Sequence, residues 1–230
     1  MVECGLKPRT RVDSSFNRKG RPVARGEDGF DRDVALPPNL TVGHIRNAIE
    51  FIEEQAEDLI DLYHEQANVF SGVIGILGIK ALHSLSPYKR HKHPDVAQQR
   101  FPDLSLGGRL NPPPKQALES KGSLRPWAIQ SHYNHAGWYI IWRYVVDPTK
   151  RMKPGRAVVV WRVDLPFLSQ DDWKYDCSKA EQGRGGRTHT FGVKHAKTKL
   201  LGSIVYQAPR VALSGGGPTL INGNSPATQS

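Results

Sequence analysis

The chain has 230 residues, a hydrophobic fraction of 38% and a formal net charge of +10. The hydrophobic fraction is below the roughly 45–50% that is usual for globular proteins, so part of the chain is expected to lie outside a packed core. An excess of positive charge favours a polyanionic partner such as nucleic acid, because each neutralised phosphate releases a counterion.

The cysteine content and the apolar pattern exclude several classes of protein. Cys4 and Cys177 are the only cysteines, too few for a disulfide framework or a four-cysteine zinc site. We find no apolar run that approaches the ~20 residues of a membrane span. The first residues, MVECGLKPRTR, lack the apolar core of a signal peptide. We therefore expect a cytoplasmic protein with no membrane partner.

Composition divides the chain into three parts. Residues 1–38 are rich in Arg, Lys, Gly, Pro and Ser, with little apolar pattern, and are predicted to form a flexible basic N-terminal arm. Residues 39–207 hold the periodic apolar segments and are predicted to form the folded domain. Residues 208–230 are of low complexity and are predicted to be a disordered tail.

The clearest predicted helix is PPNLTVGHIRNAIEFIEEQAEDLIDLYHEQANVF. Its apolar residues recur at steps of three and four, and Thr41 is a plausible N-cap after two prolines. The opposite face is acidic. Such a face is usually only solvated, but it can also lend a carboxylate to a metal site.

The next segments predict a mixed α/β fold of the α+β type. SGVIGILGIKALHSL is apolar with several glycines, and fits either a buried helix or a strand. FPDLSL and QALESKG flank a turn rich in Gly and Pro, and AGWYIIWRYVVD and RAVVVWRVDL have the aromatic and β-branched content of central strands. We expect a mixed central β-sheet flanked by helices.

Two acids and a lysine stand on the first two predicted strands. Side chains alternate between the faces of a strand, so Glu119 and Lys121 point the same way, and Asp103 on the neighbouring strand can meet them. Two carboxylates in one place repel unless a cation lies between them, and Mg²⁺ prefers one or two carboxylates plus water and phosphate. Such an ion would polarise a scissile phosphate, and Lys121 would assist as a base or as a positive charge.

These residues resemble the PD-(D/E)xK nuclease superfamily. Pro102-Asp103 supplies the first element, and Glu119-Ser120-Lys121 supplies the second. The resemblance covers roughly residues 45–205. The chain is similar in length to small, single-domain type II restriction endonucleases. It implies a restriction-endonuclease-like fold and Mg²⁺-dependent cleavage of double-stranded DNA at a specific short sequence.

The resemblance also implies roles and partners. Asp103 and Glu119 would be metal ligands, and Lys121 the catalytic cation. Many members add an acid from the preceding helix, a role that Glu53, Glu54 or Glu57 could fill; Glu57 is the candidate ligand here. The enzyme would act as a homodimer, with a cognate DNA methyltransferase that protects the host.

Two basic or polar segments are candidates for contact with DNA. GRGGRTHTFGVKHAKTK carries cations that can grip guanine or phosphate, and RPWAIQSHYNHAGW offers amide and imidazole groups for base edges. Either segment could instead be an ordinary solvated loop. The candidate DNA-binding residues are Arg184, Arg187, His189, Lys194, Lys197, Gln130 and Asn134.

Three alternatives remain open at this point. SHYNHAG also suits a nuclease that binds one metal ion through histidine and asparagine, although such sites usually precede a helix. The protein could bind nucleic acid through its basic loops without catalysis. It could also be a PD-(D/E)xK nuclease of DNA repair or recombination.

Overall fold

The computed structural model of the protein describes residues 25–98, 100–177, 189–214 and 216–221. These residues form four α-helices and twelve β-strands. The helices are α1 (Val42–Glu57), α2 (Ile60–Glu65), α3 (Ala67–Leu85) and α4 (Ala196–Leu200). The strands are β1 (Tyr88–Lys89), β2 (Leu104–Leu106), β3 (Ala117–Ser123), β4 (Gln130–Ser131), β5 (Gly137–Val146), β6 (Val158–Asp164), β7 (Phe167–Leu168), β8 (Trp173–Cys177), β9 (His189–Val193), β10 (Ile204–Gln207), β11 (Val211–Ser214) and β12 (Gly217–Leu220).

The architecture is a mixed central β-sheet flanked by helices, as predicted. The strand order is β1-β2-β3-β5-β6-β10, with β7 added beside the start of β5. β3 and β5 are parallel and the other pairs in this sheet are antiparallel. β5 and β6 are buried along most of their length, which agrees with their β-branched and aromatic sequences.

The predicted first helix, which covered residues 37–70, is divided among α1, α2 and the start of α3. The side chain of Thr41 accepts a hydrogen bond from the backbone of His44, whose ring accepts one from the Thr41 backbone, so the predicted N-cap is confirmed. α1 ends at Glu57, and the short α2 connects it to α3.

The apolar, glycine-rich segment forms α3, which resolves the choice between helix and strand. Its glycines let the helix approach β3 closely. A Cβ at Gly78 would lie 2.1 Å from the indole nitrogen of Trp142, and one at Gly75 would lie 3.2 Å from the backbone nitrogen of Gly122. Ser120 uses this close contact, because its hydroxyl donates a hydrogen bond to the Gly75 carbonyl over 2.9 Å. α3 therefore fixes the position of β3.

The central sheet has a core on each face. α1 and α3 pack on one face, with Ile49, Ile74, Leu82 and Trp142 among the buried residues. On the other face, a three-stranded sheet of order β4-β9-β8 packs with α4 over Tyr139 and its neighbours. The second face is also the one toward which Glu119 points, since Glu119 pairs with Tyr139.

The chain ends differ from the predicted boundaries where the structure describes them. Phe30 is in the core at 2% exposure, and the Asp31 backbone donates to the Val205 carbonyl, so residues 25–38 are not a flexible arm. β11 and β12 form an antiparallel hairpin inside the predicted disordered tail. Residues 1–24 and 222–230 lie outside the described residues.

α3 is long and apolar enough, by length and composition alone, to cross a membrane. It spans 19 residues with a mean hydropathy of 1.4 over its most apolar window. The sequence-based expectation that no apolar run approaches the length of a span is therefore wrong. The physical reason for its apolarity is visible in the fold, because Phe70, Ile74 and Leu82 fill the core between α1 and the central sheet.

Candidate active site

The predicted hairpin of β2 and β3 exists and aligns the two acids. β2 pairs antiparallel with β3 through Leu104 opposite Leu118 and Ser105 opposite Ala117. One residue beyond this pairing, Asp103 lies beside Glu119. The turn between the strands holds the three prolines, and a short 3₁₀ turn at Pro114–Gln116 leads into β3.

Hydrogen bonds connect the two acids and the lysine directly. The backbone N–H of Asp103 donates to Oε2 of Glu119 over 3.1 Å, and the backbone N–H of Ser120 donates to Oδ2 of Asp103 over 2.9 Å. Nζ of Lys121 donates to Oε1 of Glu119 over 2.7 Å. The structure therefore brings Asp103, Glu119 and Lys121 together at one place on the sheet.

Burial and neighbouring charges set the protonation of this cluster. Burial, and then the negative charge of Glu119, raise the pKa of Asp103 to about 7, against the opposing charge of Lys121. Burial alone would lower the pKa of Lys121, but the charges of Glu119 and Asp103 outweigh it and raise that pKa above its ordinary value. Lys121 is therefore an ammonium at neutral pH, and the Asp103 carboxyl is harder to ionise than an exposed one.

The cluster opens onto a groove along the edge of β3. β2 pairs with only the first part of β3, and the edge beyond it faces the first half of α3. A cavity of 290 Å³ lies between α3 and this edge, with Asp103 and Lys121 in its wall. A second cavity of 540 Å³ continues from Lys121 toward β4. We call the two cavities together the active-site groove; both are lined by Ser71, Gly72, Lys121 and Gly122.

Glu57 does not join the cluster. Its carboxylate accepts a hydrogen bond from the backbone N–H of Ala157 over 2.9 Å, beside Val146 at the end of β5, whereas Glu119 pairs with Tyr139 near the start of β5. The seven residue steps from Tyr139 to Val146, at about 3.3 Å each, separate the two levels of the sheet by about 23 Å. The structure contradicts Glu57 as a metal ligand.

Neither of the other two helix acids joins Asp103 and Glu119, since no group of three or more metal-ligating side chains is found among the described residues. Glu53 is buried, contacts the ammonium of Lys153, and accepts a hydrogen bond from the backbone of Val160 over 2.9 Å. Glu54 is exposed on α1. The acidic stretch on α1 therefore serves partly to anchor the helix to the far end of the sheet, which sequence periodicity does not distinguish from a ligand role.

The predicted DNA-binding residues of the glycine-rich segment are only partly described. Arg184 and Arg187 lie outside the described residues. His189 is exposed at the start of β9, where its ring stacks on Tyr175 with the ring centres 5.9 Å apart. Lys194 is exposed, and its ammonium donates to the carbonyl of Asp171 over 2.9 Å. Lys197 is exposed on α4.

The second predicted DNA-binding segment borders the groove. Gln130 lies exposed on β4 and lines the larger cavity, together with His132 and Thr190. Asn134 is exposed in the loop that follows. Arg125, which sequence reasoning missed, lines the same cavity directly after β3. Its position immediately after the Glu-x-Lys strand was the available signal.

A buried ionic cluster holds the loop that carries Arg125. Asp164 accepts ion pairs from Arg143 and Arg162, each at 2.8 Å, and all three side chains are at most 1% exposed. Arg143 also donates to the carbonyls of Arg125 and Ala128 over 2.6 and 2.7 Å. The sequence signal for this cluster was the charged residues inside WRYVVD and WRVDL, since charges are rarely buried unless paired.

The residues present fit a divalent metal ion of the Mg²⁺ type. Asp103 and Glu119 offer two carboxylates, and Mg²⁺ is commonly bound by one or two carboxylates together with substrate phosphate. In the ranges that the structure describes, no group of three or more His, Cys, Asp and Glu side chains is placed to hold a metal. Burial, and then the charge of Glu119, raise the pKa of Asp103, and a cation between the two carboxylates would relieve the part that comes from their repulsion.

The alternative metal site in SHYNHAG is not favoured by its surroundings. The residues that follow it form β5 rather than a helix. His135 instead packs its ring against Phe101 with the ring centres 4.6 Å apart.

Comparisons with protein-family models, curated proteins and solved structures find no match to this chain.

Proposed function

We propose that the protein is a Mg²⁺-dependent endonuclease that hydrolyses phosphodiester bonds of double-stranded DNA at a specific short sequence. The observation that carries this proposal is the contact of Asp103, Glu119 and Lys121 at the open edge of β3. Their order and spacing match the PD-(D/E)xK pattern. The mixed central sheet flanked by helices supports a restriction-endonuclease-like architecture.

Each residue of the cluster has a role that follows from its position. Asp103 and Glu119 would hold the ion, and the backbone N–H of Ser120 orients the Asp103 carboxylate. Bound Mg²⁺ supplies positive charge that polarises the scissile phosphate. Lys121 keeps its proton because the two carboxylates raise its pKa. This favours charge stabilisation in the transition state over proton abstraction as its contribution.

The groove supports a polyanionic substrate. Lys121, Arg125 and His132 lie along its length, and the whole chain carries a net charge of +10. Phosphate contacts of this kind position a duplex, while base edges are read by groups such as the amide of Gln130. Cutting both strands at one site favours a symmetric homodimer. A cognate DNA methyltransferase as functional partner belongs to the same proposal.

Digestion of a sequenced phage genome tests the proposal. We expect discrete fragments with Mg²⁺ and intact DNA with EDTA. Binding without cleavage in either buffer would refute the proposal and favour a non-catalytic DNA-binding protein. A smear, or cleavage of branched substrates only, would refute sequence-specific restriction and favour a nuclease of repair or recombination.

A further inference from the structure

A wall of aromatic rings lies beside the active-site cluster. The rings of Tyr133 and His135 have centres 5.3 Å apart, those of His135 and Phe101 have centres 4.6 Å apart, and both pairs are tilted by 30°. Tyr133 is 50% exposed and His135 is also exposed. Aromatic rings that serve only the core are largely buried, so Tyr133 and His135 are accessible to a ligand in solution.

The wall forms one side of a cavity of 370 Å³, which we call the base pocket. The other side comes from the turn between β2 and β3, and the residues lining the pocket include Leu110, Asn111 and Pro112. Arg100 donates to the side-chain oxygen of Asn111 over 2.7 Å, which ties the two sides together at their polar edge. The volume is within the range of about 300–1,000 Å³ that is usual for small-ligand sites.

The base pocket is connected to the proposed catalytic residues by short, direct links. Phe101 precedes Asp103 by two positions, so its ring is fixed by the same segment that places the carboxylate. The hydroxyl of Tyr139 donates to the carbonyl of His135 over 3.0 Å, and Tyr139 pairs with Glu119 across β3 and β5. Burial is the main cause that raises the pKa of Tyr139, and the negative charges of Glu119 and Asp103 raise it further. Tyr139 is therefore close enough to both acids to interact with their charges.

We propose, resting on the proposed function, that the base pocket binds one unpaired nucleobase of a DNA strand held in the active-site groove. A base would stack on the exposed face of Tyr133, continuing the row of rings, with its polar edge toward Arg100 and Asn111. Stacking on an aromatic side chain accepts any base, because every base has a π-face. The pocket therefore holds the strand in place without selecting its sequence.

A fluorescent base analogue tests the pocket independently of cleavage. The probe is a single-stranded oligothymidylate with one internal 2-aminopurine and a dye at one end, titrated with the protein in EDTA. Anisotropy of the dye reports DNA binding, and 2-aminopurine fluorescence reports stacking. We expect quenching with the natural protein and with Tyr133→Phe, which keeps the ring. Tyr133→Leu, which keeps apolar bulk, should lose the quenching and bind about tenfold more weakly.

The outcomes separate this inference from the proposed function. Binding without quenching, or equal quenching by Tyr133→Leu, would overturn the base pocket even if Mg²⁺-dependent cleavage of duplex DNA is present. Absence of DNA binding by anisotropy would overturn it as well, and the separate cleavage assay would then show whether the nuclease proposal also fails. A duplex carrying the same 2-aminopurine shows where the base comes from. A change in its fluorescence on binding means that the protein extrudes the base from the helix, and no change means that only a single strand supplies it.

Discussion

Replacing Asp103 with asparagine should stabilise the folded protein above neutral pH in the absence of metal. The asparagine side chain is nearly the same shape and keeps an oxygen that can accept the Ser120 N–H, but it carries no charge. In the natural protein, burial and the charge of Glu119 raise the pKa of Asp103 to about 7, so ionising this carboxyl works against folding. A raised acid pKa means that the stability of the natural protein falls as pH rises from about 4 to about 7, and is level above that.

The size of the effect follows from the two pKa values. The interval between the ordinary value of 3.8 and a pKa of about 7 corresponds to roughly 4 kcal/mol, at about 1.4 kcal/mol per pH unit. Most of this interval lies above pH 5, so the advantage of Asp103→Asn in the free energy of unfolding should grow by about 2–3 kcal/mol between pH 5 and pH 8. Urea unfolding in EDTA, followed by circular dichroism at both pH values, measures this difference in the free energy of unfolding.

A matched control, Glu57→Gln, should change stability in the opposite direction. Hydrogen bonding to Lys150 is the first cause of the lowered pKa of Glu57, so Glu57→Gln should lose stability at pH 8 and lose less as the pH falls toward 4. If Asp103→Asn is no more stable than the natural protein at pH 8, or if the difference does not change with pH, the reasoning about a repelling carboxylate pair is refuted.

Three further predictions follow from the same geometry. Saturating Mg²⁺ should raise the melting temperature of the natural protein at pH 8 but not that of Asp103→Asn, since only the natural pair offers two charged ligands; equal shifts would contradict the metal site. Gly78→Ala should lower the free energy of unfolding in urea by about 3 kcal/mol or more, because its Cβ would meet the Trp142 indole. Gly72→Ala, whose Cβ would meet no neighbouring side chain or strand within 4 Å, should instead raise it by up to about 1 kcal/mol. Equal effects of the two changes would refute the close packing of α3. Asp164→Asn should cost about 3–5 kcal/mol by leaving two buried arginines without their shared carboxylate; a loss below about 1 kcal/mol in urea unfolding would show that the cluster is not needed.

The local features of the site could be predicted from sequence because they depend on neighbours along the chain. Thr41 caps its helix through a contact three residues away, and the alternation of side chains placed Glu119 and Lys121 on one face of a strand. The antiparallel pairing of β2 with β3 followed from a turn rich in Gly and Pro. These are short-range relations, and the structure bears out the geometry of all three.

The features that could not be predicted depend on contacts far apart in sequence. The acidic helix predicts a metal ligand such as Glu57, but only the packing of α1 against β6 decides which end of the sheet Glu57 reaches. Phe30 stands in a polar, charged stretch, so composition predicts an arm, although Phe30 pairs with Tyr206 near the other end of the chain. The parallel pairing of β3 with β5 likewise has no local sequence signal.

The most direct test of the account compares cleavage by Glu119→Gln and Glu57→Gln in the same Mg²⁺ buffer. Both changes remove one acidic charge, but only Glu119 lies beside Asp103 and Lys121. We predict that Glu119→Gln abolishes cleavage of duplex DNA while its DNA affinity stays within a few-fold of the natural value, and that Glu57→Gln cuts normally. Cleavage by Glu119→Gln at the natural rate would contradict the proposed site.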